Sequence, residues 1–201
     1  MSFSTDKFPE ISVCNYVSVR NELRSGDILL ASGSTVFSRL IQNATKSIWS
    51  HVGFILRVDA IDRIMVLESV ESIGVRTVPL SSYINNYNGT GSAYPGRLLI
   101  ARHANFAKVD ITKLSQVAVD LLGYPYSGED IARIAARIGM ANLGFHKDQP
   151  IIQGQNAFIC SEYVYECYKS VGINVDYDEE GYIAPADYAK DKNITPVCAL
   201  N

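Results

Sequence analysis

The stretch from His51 to Ser69 constrains the fold more than any other. Over His51–Val58, Val52, Phe54, Leu56 and Val58 face one way, and His51, Gly53, Ile55 and Arg57 face the other. Asp59-Ala60-Ile61-Asp62 supplies a turn. Arg63–Ser69 returns with Met65 and Leu67 on one face and Ile64, Val66 and Glu68 on the other. A period of two on both arms predicts an antiparallel hairpin. A third strand is expected at Gly74–Val78. Ile28-Leu29-Leu30, after the turn chemistry of Ser25-Gly26-Asp27, and Arg97–His103 read as further strands. Pro79–Tyr87 reads as a short helix or loop.

Elsewhere the period is helical. Ser34–Thr45 places Val36, Leu40, Ile41 and Ala44 on one face, with Ser34 as N-cap. Thr112–Leu122 does the same with Leu114, Val117, Ala118, Leu121 and Leu122, and Gly123 is placed to cap it. Ser127–Gly139 carries Ile131, Ile134, Ala135 and Ile138, with Ser127 and Asp130 spaced as a capping box. Asn156–Val171 sets Cys160, Val164, Cys167, Tyr168 and Val171 on one face and Glu162, Glu166 and Lys169 on the other, and Gly172 ends it. Residues 1–20 read as a lead-in with a short strand or helix near Val13–Val19. The C-terminal part reads as loop, with a short helix from Pro185. Small antiparallel strands early and helices late make an α+β pattern. With 201 residues, 47% of them hydrophobic, one domain over 1–201 with a real core is expected.

Composition removes several function classes. Eighteen Lys and Arg against 21 Asp and Glu leave a net charge of −3, which is no basis for gripping a phosphate backbone. No apolar run reaches the roughly 18 residues of a membrane span. The first ten residues lack a basic start followed by an apolar stretch, so a cytoplasmic chain with reduced thiols is expected. Cys14, Cys160, Cys167 and Cys198 form no CxxC, and their spacing matches neither a zinc site nor a dense disulfide framework. No metal or organic cofactor is called for. Gly89-Thr90-Gly91 lacks the lysine of a phosphate loop.

Cys160 stands out among the thiols. It falls in the first turn of a predicted helix, where unpaired N–H groups and the helix dipole favour an anion. A packed core cysteine is the commoner fate of a free Cys, and Cys167, one turn deeper, is read as core. Cys14 and Cys198 have no supporting neighbours in the sequence. A thiolate nucleophile needs a base, and the base an orienter. His51 opens a strand on the face away from Val52 and Phe54. If Val58 pairs with Arg63, Gly53 faces Glu68 and His51 lies diagonal to it, within reach of a glutamate side chain. Glu68 then bonds one imidazole nitrogen and leaves the other for Cys160. A one-residue slip of register removes that arrangement. Glu71 is the fallback orienter. His103 reads as a surface or strand-end residue, and His146 lies in a polar loop.

Taken together, these segments resemble a known family. Leu122-Gly123-Tyr124-Pro125-Tyr126, then Cys160-Ser161-Glu162-Tyr163-Val164-Tyr165 and Lys169-Ser170-Val171-Gly172-Ile173, resemble the nucleophile half of the NlpC-type papain-like cell-wall peptidases. Here the histidine half comes first, in Ser25-Gly26-Asp27-Ile28-Leu29-Leu30, Trp49-Ser50-His51-Val52-Gly53, Glu68-Ser69 and Gly74-Val75. That order is similar to the circularly permuted branch, which includes lecithin retinol acyltransferase-like proteins. The resemblance runs from about Leu23 to Ala189. It implies a permuted papain-like fold, with a small antiparallel sheet packed against helices and the nucleophile at a helix N-terminus. It further implies Cys160 as nucleophile, His51 as general base and later acid, Glu68 as orienter, and Tyr126 beside the Cys160 backbone N–H at the oxyanion. The segment between Tyr126 and Cys160 is longer than in unpermuted members, and the inserted helix near Ile131–Met140 is placed to wall the pocket.

The expected activity is a cysteine amidase or peptidase acting on small peptide-like amides or isopeptides, cell-wall peptides among them, through an acyl-enzyme. The alternatives are a lipid-directed acyltransferase or thioesterase with the same triad, favoured by a long apolar groove, and a binding module that has lost turnover. The expected partner is a small peptide-like or acyl substrate, with neither nucleic acid nor a membrane span involved.

Overall fold

The structure is a computed structural model and describes residues 11–128, 157–177 and 182–200. Seven strands form one sheet: β1 (Val13–Cys14), β2 (Ile28–Ser32), β3 (His51–Val58), β4 (Arg63–Val70), β5 (Gly74–Pro79), β6 (Arg97–His103) and β7 (Ile194–Leu200). Their order is β1-β7-β6-β2-β3-β4-β5. All pairs are antiparallel except β1 with β7, which is parallel. Among the described residues the α-helices are α1 (Tyr16–Val19), α2 (Val36–Thr45), α3 (Leu80–Asn85), α4 (Ile111–Asp120), α5 (Cys160–Ser170) and α6 (Pro185–Lys190).

Both faces of the central hairpin are buried, so its alternation sorts residues between two cores. Val52, Phe54 and Leu67 join Leu114 and Ala118 of α4 and Tyr163, Val164, Cys167 and Tyr168 of α5. Ile55, Ile64 and Val66 join Leu80 and Tyr83 of α3 together with Val19 and Leu23. Phe54 lies against the rings of both Tyr163 and Tyr168, each at 6.0 Å between centroids, which locks α5 across β3.

Several expectations are corrected. The sheet is larger than expected, because Ile194–Leu200 is a strand and not loop. Pro196 disguises it. Pro196 pairs with Ala101 at a register shift, and β7 meets only the two-residue β1 on its other side, so the missing N–H is tolerated. The cap of α2 is Thr35, not Ser34: Ser38 N–H donates to Thr35 Oγ1 at 3.0 Å. The helix expected from Asn156 begins at Cys160, because Ile159 is extended. Glu162, expected on the polar face of that helix, is buried. Cys14 and Cys198 are in contact, and burial pushes the Cys198 thiol up to about 12. The helix expected over Ser127–Gly139 and the pocket wall near Ile131–Met140 lie, beyond Gly128, outside the described residues, as does His146. Among the described residues no helix is long and apolar enough to cross a membrane.

Candidate active site

The hairpin register places the first two groups. Pairing runs from Val58 with Arg63 to Phe54 with Leu67, which sets Gly53 opposite Glu68 and His51 diagonal to it. His51 Nε2 lies 2.5 Å from Glu68 Oε2. Gly53 makes room for this. A Cβ there would come 2.9 Å from the Leu67 carbonyl oxygen and 3.2 Å from Glu68 Cβ. The Glu68 side chain is 0% exposed and the His51 ring 18% exposed.

Two residues that the sequence reading missed complete the surroundings of Glu68. Arg76 stands directly across from it in the β4–β5 register and donates from Nε to Oε1 at 2.8 Å. Tyr83 of α3 donates its hydroxyl to Oε2. Burial alone would push the Glu68 carboxyl up. The bond to His51, the charges of His51 and Arg76, and the Tyr83 hydroxyl hold it below the usual carboxylate range. Burial likewise opposes charge on His51. Hydrogen bonds to Cys160 and Glu68, and their charges, outweigh it and push the ring up to about 10. A signal for Arg76 was present: the short Glu71-Ser72-Ile73 connection sets Val70 against Gly74, and hence opposite charges against each other at 68 and 76. Tyr83 left no such signal, because its reach depends on how α3 folds over the sheet.

Cys160 is the first residue of α5 and is buried, and it lines one cleft together with His51. Its neighbours fix it on every side. The Ile159 N–H donates to Glu162 Oε2 at 3.2 Å, which explains the buried glutamate as a cap. Ser69 Oγ, one residue beyond Glu68, donates to the Phe158 carbonyl at 2.7 Å. Ser161 Oγ donates to the Ile183 carbonyl, and the Tyr188 hydroxyl donates to the Ser161 carbonyl, each at 2.7 Å. With Nε2 taken by Glu68, the ring nitrogen left for Cys160 is Nδ1. Cys167 is buried one turn deeper, and burial pushes its thiol up to about 12.

Tyr126 arrives on the Gly123–Tyr126 segment, which is tied to β5. Val75 N–H donates to the Tyr124 carbonyl at 2.8 Å, and Gly123 N–H to the Val75 carbonyl at 3.0 Å. Phe158 N–H closes the link to Pro125 at 3.1 Å. Tyr126 and Cys160 then line two clefts together. One is walled by apolar groups, with Phe37, Leu40, Ile41 and Ala44 of α2 on one side and Ile183 to Pro185 on another. The second is more polar and includes Ser50, His51, Ser69, Glu71, Tyr87 and Tyr94. Burial raises the Tyr126 phenol well above its usual range, so it stays a hydroxyl. Glu71 sits on the rim of the second cleft, and it is Glu68 that holds the His51 ring. His103 is buried, against expectation, and accepts at Nδ1 from the Asn105 N–H at 3.2 Å. Among the described residues no group of three or more His, Cys, Asp or Glu is placed to hold a metal ion.

The family model for permuted papain-like amidase enzymes of the YaeF/YiiX, C92 family matches residues 22–192. The chain belongs to this family. The permuted papain-like amidases are cysteine hydrolases of amide bonds, and this membership gives the chain its fold and its broad chemistry. The crystal structure of the metalloprotein YiiX from Escherichia coli O157:H7 is similar in fold, with a TM-score of 0.61 and 19% identity over 88% of this chain and 97% of that one. The described residues of this chain do not fit a metal centre. No curated protein matches the chain.

Proposed function

We propose that this permuted papain-like amidase cleaves small peptide-like amides or isopeptides through an acyl-enzyme, with Cys160 as nucleophile, His51 as acid and base and Glu68 as orienter. One observation carries the reading: His51 bonds Glu68 through Nε2 and shares a cleft with Cys160, which stands at a helix N-terminus. A protonated His51 beside Cys160 is the setting in which a cysteine works as thiolate. Sγ attacks the amide carbonyl carbon. The backbone N–H of Cys160, one of the first helix donors that no helical carbonyl serves, and the Tyr126 hydroxyl hold the resulting oxyanion. His51 gives its proton to the leaving nitrogen, the C–N bond breaks and a thioester remains. Water, deprotonated by His51, attacks the thioester, and the acid leaves as the thiolate returns.

The apolar cleft beside Cys160 favours a second reading of the substrate, in which the acyl side is hydrophobic and the site serves as an acyltransferase or thioesterase. We read the whole chain, 1–201, as one domain, on the support that β1 and β7 bring both ends of the described chain to one sheet edge. Its four cysteines are free, which supports a cytoplasmic setting.

The test is iodoacetamide labelling of the native protein across pH, read at each cysteine by mass spectrometry, in wild type and His51→Ala. Cys160 is expected to label far faster than Cys167 and to lose that advantage without His51. Short peptide amides, N-acyl amides and acyl thioesters then separate the two substrate readings. A Cys160 that labels no faster than Cys167 overturns the triad and leaves a binding module.

A further inference from the structure

We propose that Arg76 is a positioning residue of this site: by pairing with the buried Glu68 it keeps that carboxylate ionised, and so sets which nitrogen of the His51 ring carries the proton. The inference rests on the cysteine-hydrolase reading above.

Glu68 is enclosed on all sides. Its Oε2 accepts from His51 Nε2 and from the Tyr83 hydroxyl, and its Oε1 accepts from Arg76 Nε. The groups that face it are His51 from β3, Arg76 from β5 and Tyr83 from α3. Tyr83 and Tyr87 face Arg76, and Cys160 of α5 faces His51. Among these described residues Arg76 is the one permanent cation. A buried carboxylate stays charged only while cations face it, and the other cation at Glu68 is the His51 ring, whose charge is a proton that can move. Removing the charge of residue 76 leaves the His51 ring as the sole cation at Glu68, and the proton they share shifts from Nε2 onto the carboxylate.

That proton has a consequence at Cys160. A protonated Glu68 donates to Nε2, so Nε2 must accept. The neutral ring then carries its hydrogen on Nδ1, facing the thiol, and has no lone pair to receive the thiol proton. With Glu68 ionised the pattern reverses: Nε2–H points at the carboxylate and Nδ1 is free to accept. Along Arg76, Glu68, His51 and Cys160 the charges alternate, cation to anion, once the thiol proton has moved. Arg76 is itself braced. Nη1 and Nη2 both lie 3.3 Å from Asn88 Oδ1, and Asn88 adopts a left-handed backbone, φ 52°, of the kind that Asn tolerates best among residues with a side chain.

The experiment needs no substrate. Iodoacetamide labelling of Cys160 is followed from pH 5 to pH 10 in wild type, Arg76→Gln, Arg76→Lys and His51→Ala, with thermal midpoints recorded alongside. Arg76→Gln keeps N–H donors and loses the charge. It is expected to label about tenfold more slowly at pH 7 and to regain the wild-type rate at high pH as Glu68 ionises. Arg76→Lys keeps the charge and is expected to stay within about threefold of wild type. A merely structural role would lower the midpoint and leave the pH profile in place. An Arg76→Gln profile superimposed on wild type overturns the proposal, as does an Arg76→Lys variant that falls with it. Should Arg76→Gln fail to fold, Glu68→Gln with Arg76→Gln removes the buried charge together with its partner. That pair is expected to label like Glu68→Gln alone, and any further loss counts against the proposal. If wild-type labelling ignores the loss of His51, the hydrolase reading and the role of Arg76 fall together. If labelling depends on His51 and Arg76→Gln changes nothing, the role of Arg76 falls alone.

Discussion

At the scale of single residues, the site depends on an atom that is missing. Gly53 faces Glu68 across the β3–β4 ladder, and the absent Cβ is what lets the glutamate lean toward His51. Alanine there would sit 2.9 Å from a backbone oxygen, which cannot swing away, and 3.2 Å from Glu68 Cβ. Overpacking of this kind costs about 1–3 kcal/mol. Gly53→Ala is therefore expected to lower the unfolding free energy in urea by that amount and to slow turnover, because the shift of β3 against β4 that it forces disturbs the His51–Glu68 contact. A Gly53→Ala protein as stable and as active as wild type would show that the strand spacing relaxes freely, and the account of Gly53 would be wrong.

At the scale of elements, the loop bearing Tyr126 is tied to β5 and the lead-in to the helix bearing Cys160 is tied to Ser69, with one bond, from Phe158 N–H to the Pro125 carbonyl, joining the two. Gly74 begins β5 at φ +87°, and a Cβ on it would meet the Tyr124 carbonyl oxygen at 2.1 Å. Gly74→Ala must shift the Gly123–Tyr126 segment and is expected to destabilise the fold by more than about 1 kcal/mol. Turnover should fall through misplacement of the Tyr126 hydroxyl by more than alkylation of Cys160 falls, because alkylation makes no use of Tyr126. Equal loss of both readouts would mean that the Phe158–Pro125 bond carries the whole disturbance into the helix, and the separate role of Tyr126 would be wrong. The same division explains what the sequence could disclose. The bounds of β3 and the start of β4 are legible because alternation and turn are local, and from them the register that joins His51 to Glu68 follows by counting. Cys160 is legible from its place near a helix start. The true start of α5 is not, because Phe158, just before the extended Ile159, is tied by bonds to Ser69 and Pro125, far away in the chain. Strand β7 is hidden by Pro196, whose tolerance depends on a register shift in the partner strand. Tyr83 is hidden because its bond to Glu68 exists only once α3 has packed.

At the scale of the whole molecule, the site sits where the two cores meet at one end of the sheet. His51 and Glu68 belong to the face that α3 covers, and Cys160 opens a helix that packs on the other. Catalysis and stability therefore share the same buried charges, and pH should move both. The folded pKa of Glu68 is depressed, so its contribution is fully present above the unfolded value of about 4.3 and is lost as pH falls below it. The folded pKa of His51 is raised to about 10, so its contribution is fully present below the unfolded value of about 6.5 and is lost as pH rises toward 10. Stability should thus hold a plateau between these two unfolded values and decline on both sides. The alkaline decline has a signature of its own. His51→Gln cannot titrate, so the stability gap between wild type and His51→Gln should be widest at the plateau and shrink steadily from about pH 6.5 to pH 10. Urea unfolding of both proteins at half-unit steps of pH measures the gap directly. A gap that stays constant over that interval would mean that His51 exchanges no proton with unfolding, and the charged His51–Glu68 pair would have to be abandoned as part of the folded ground state.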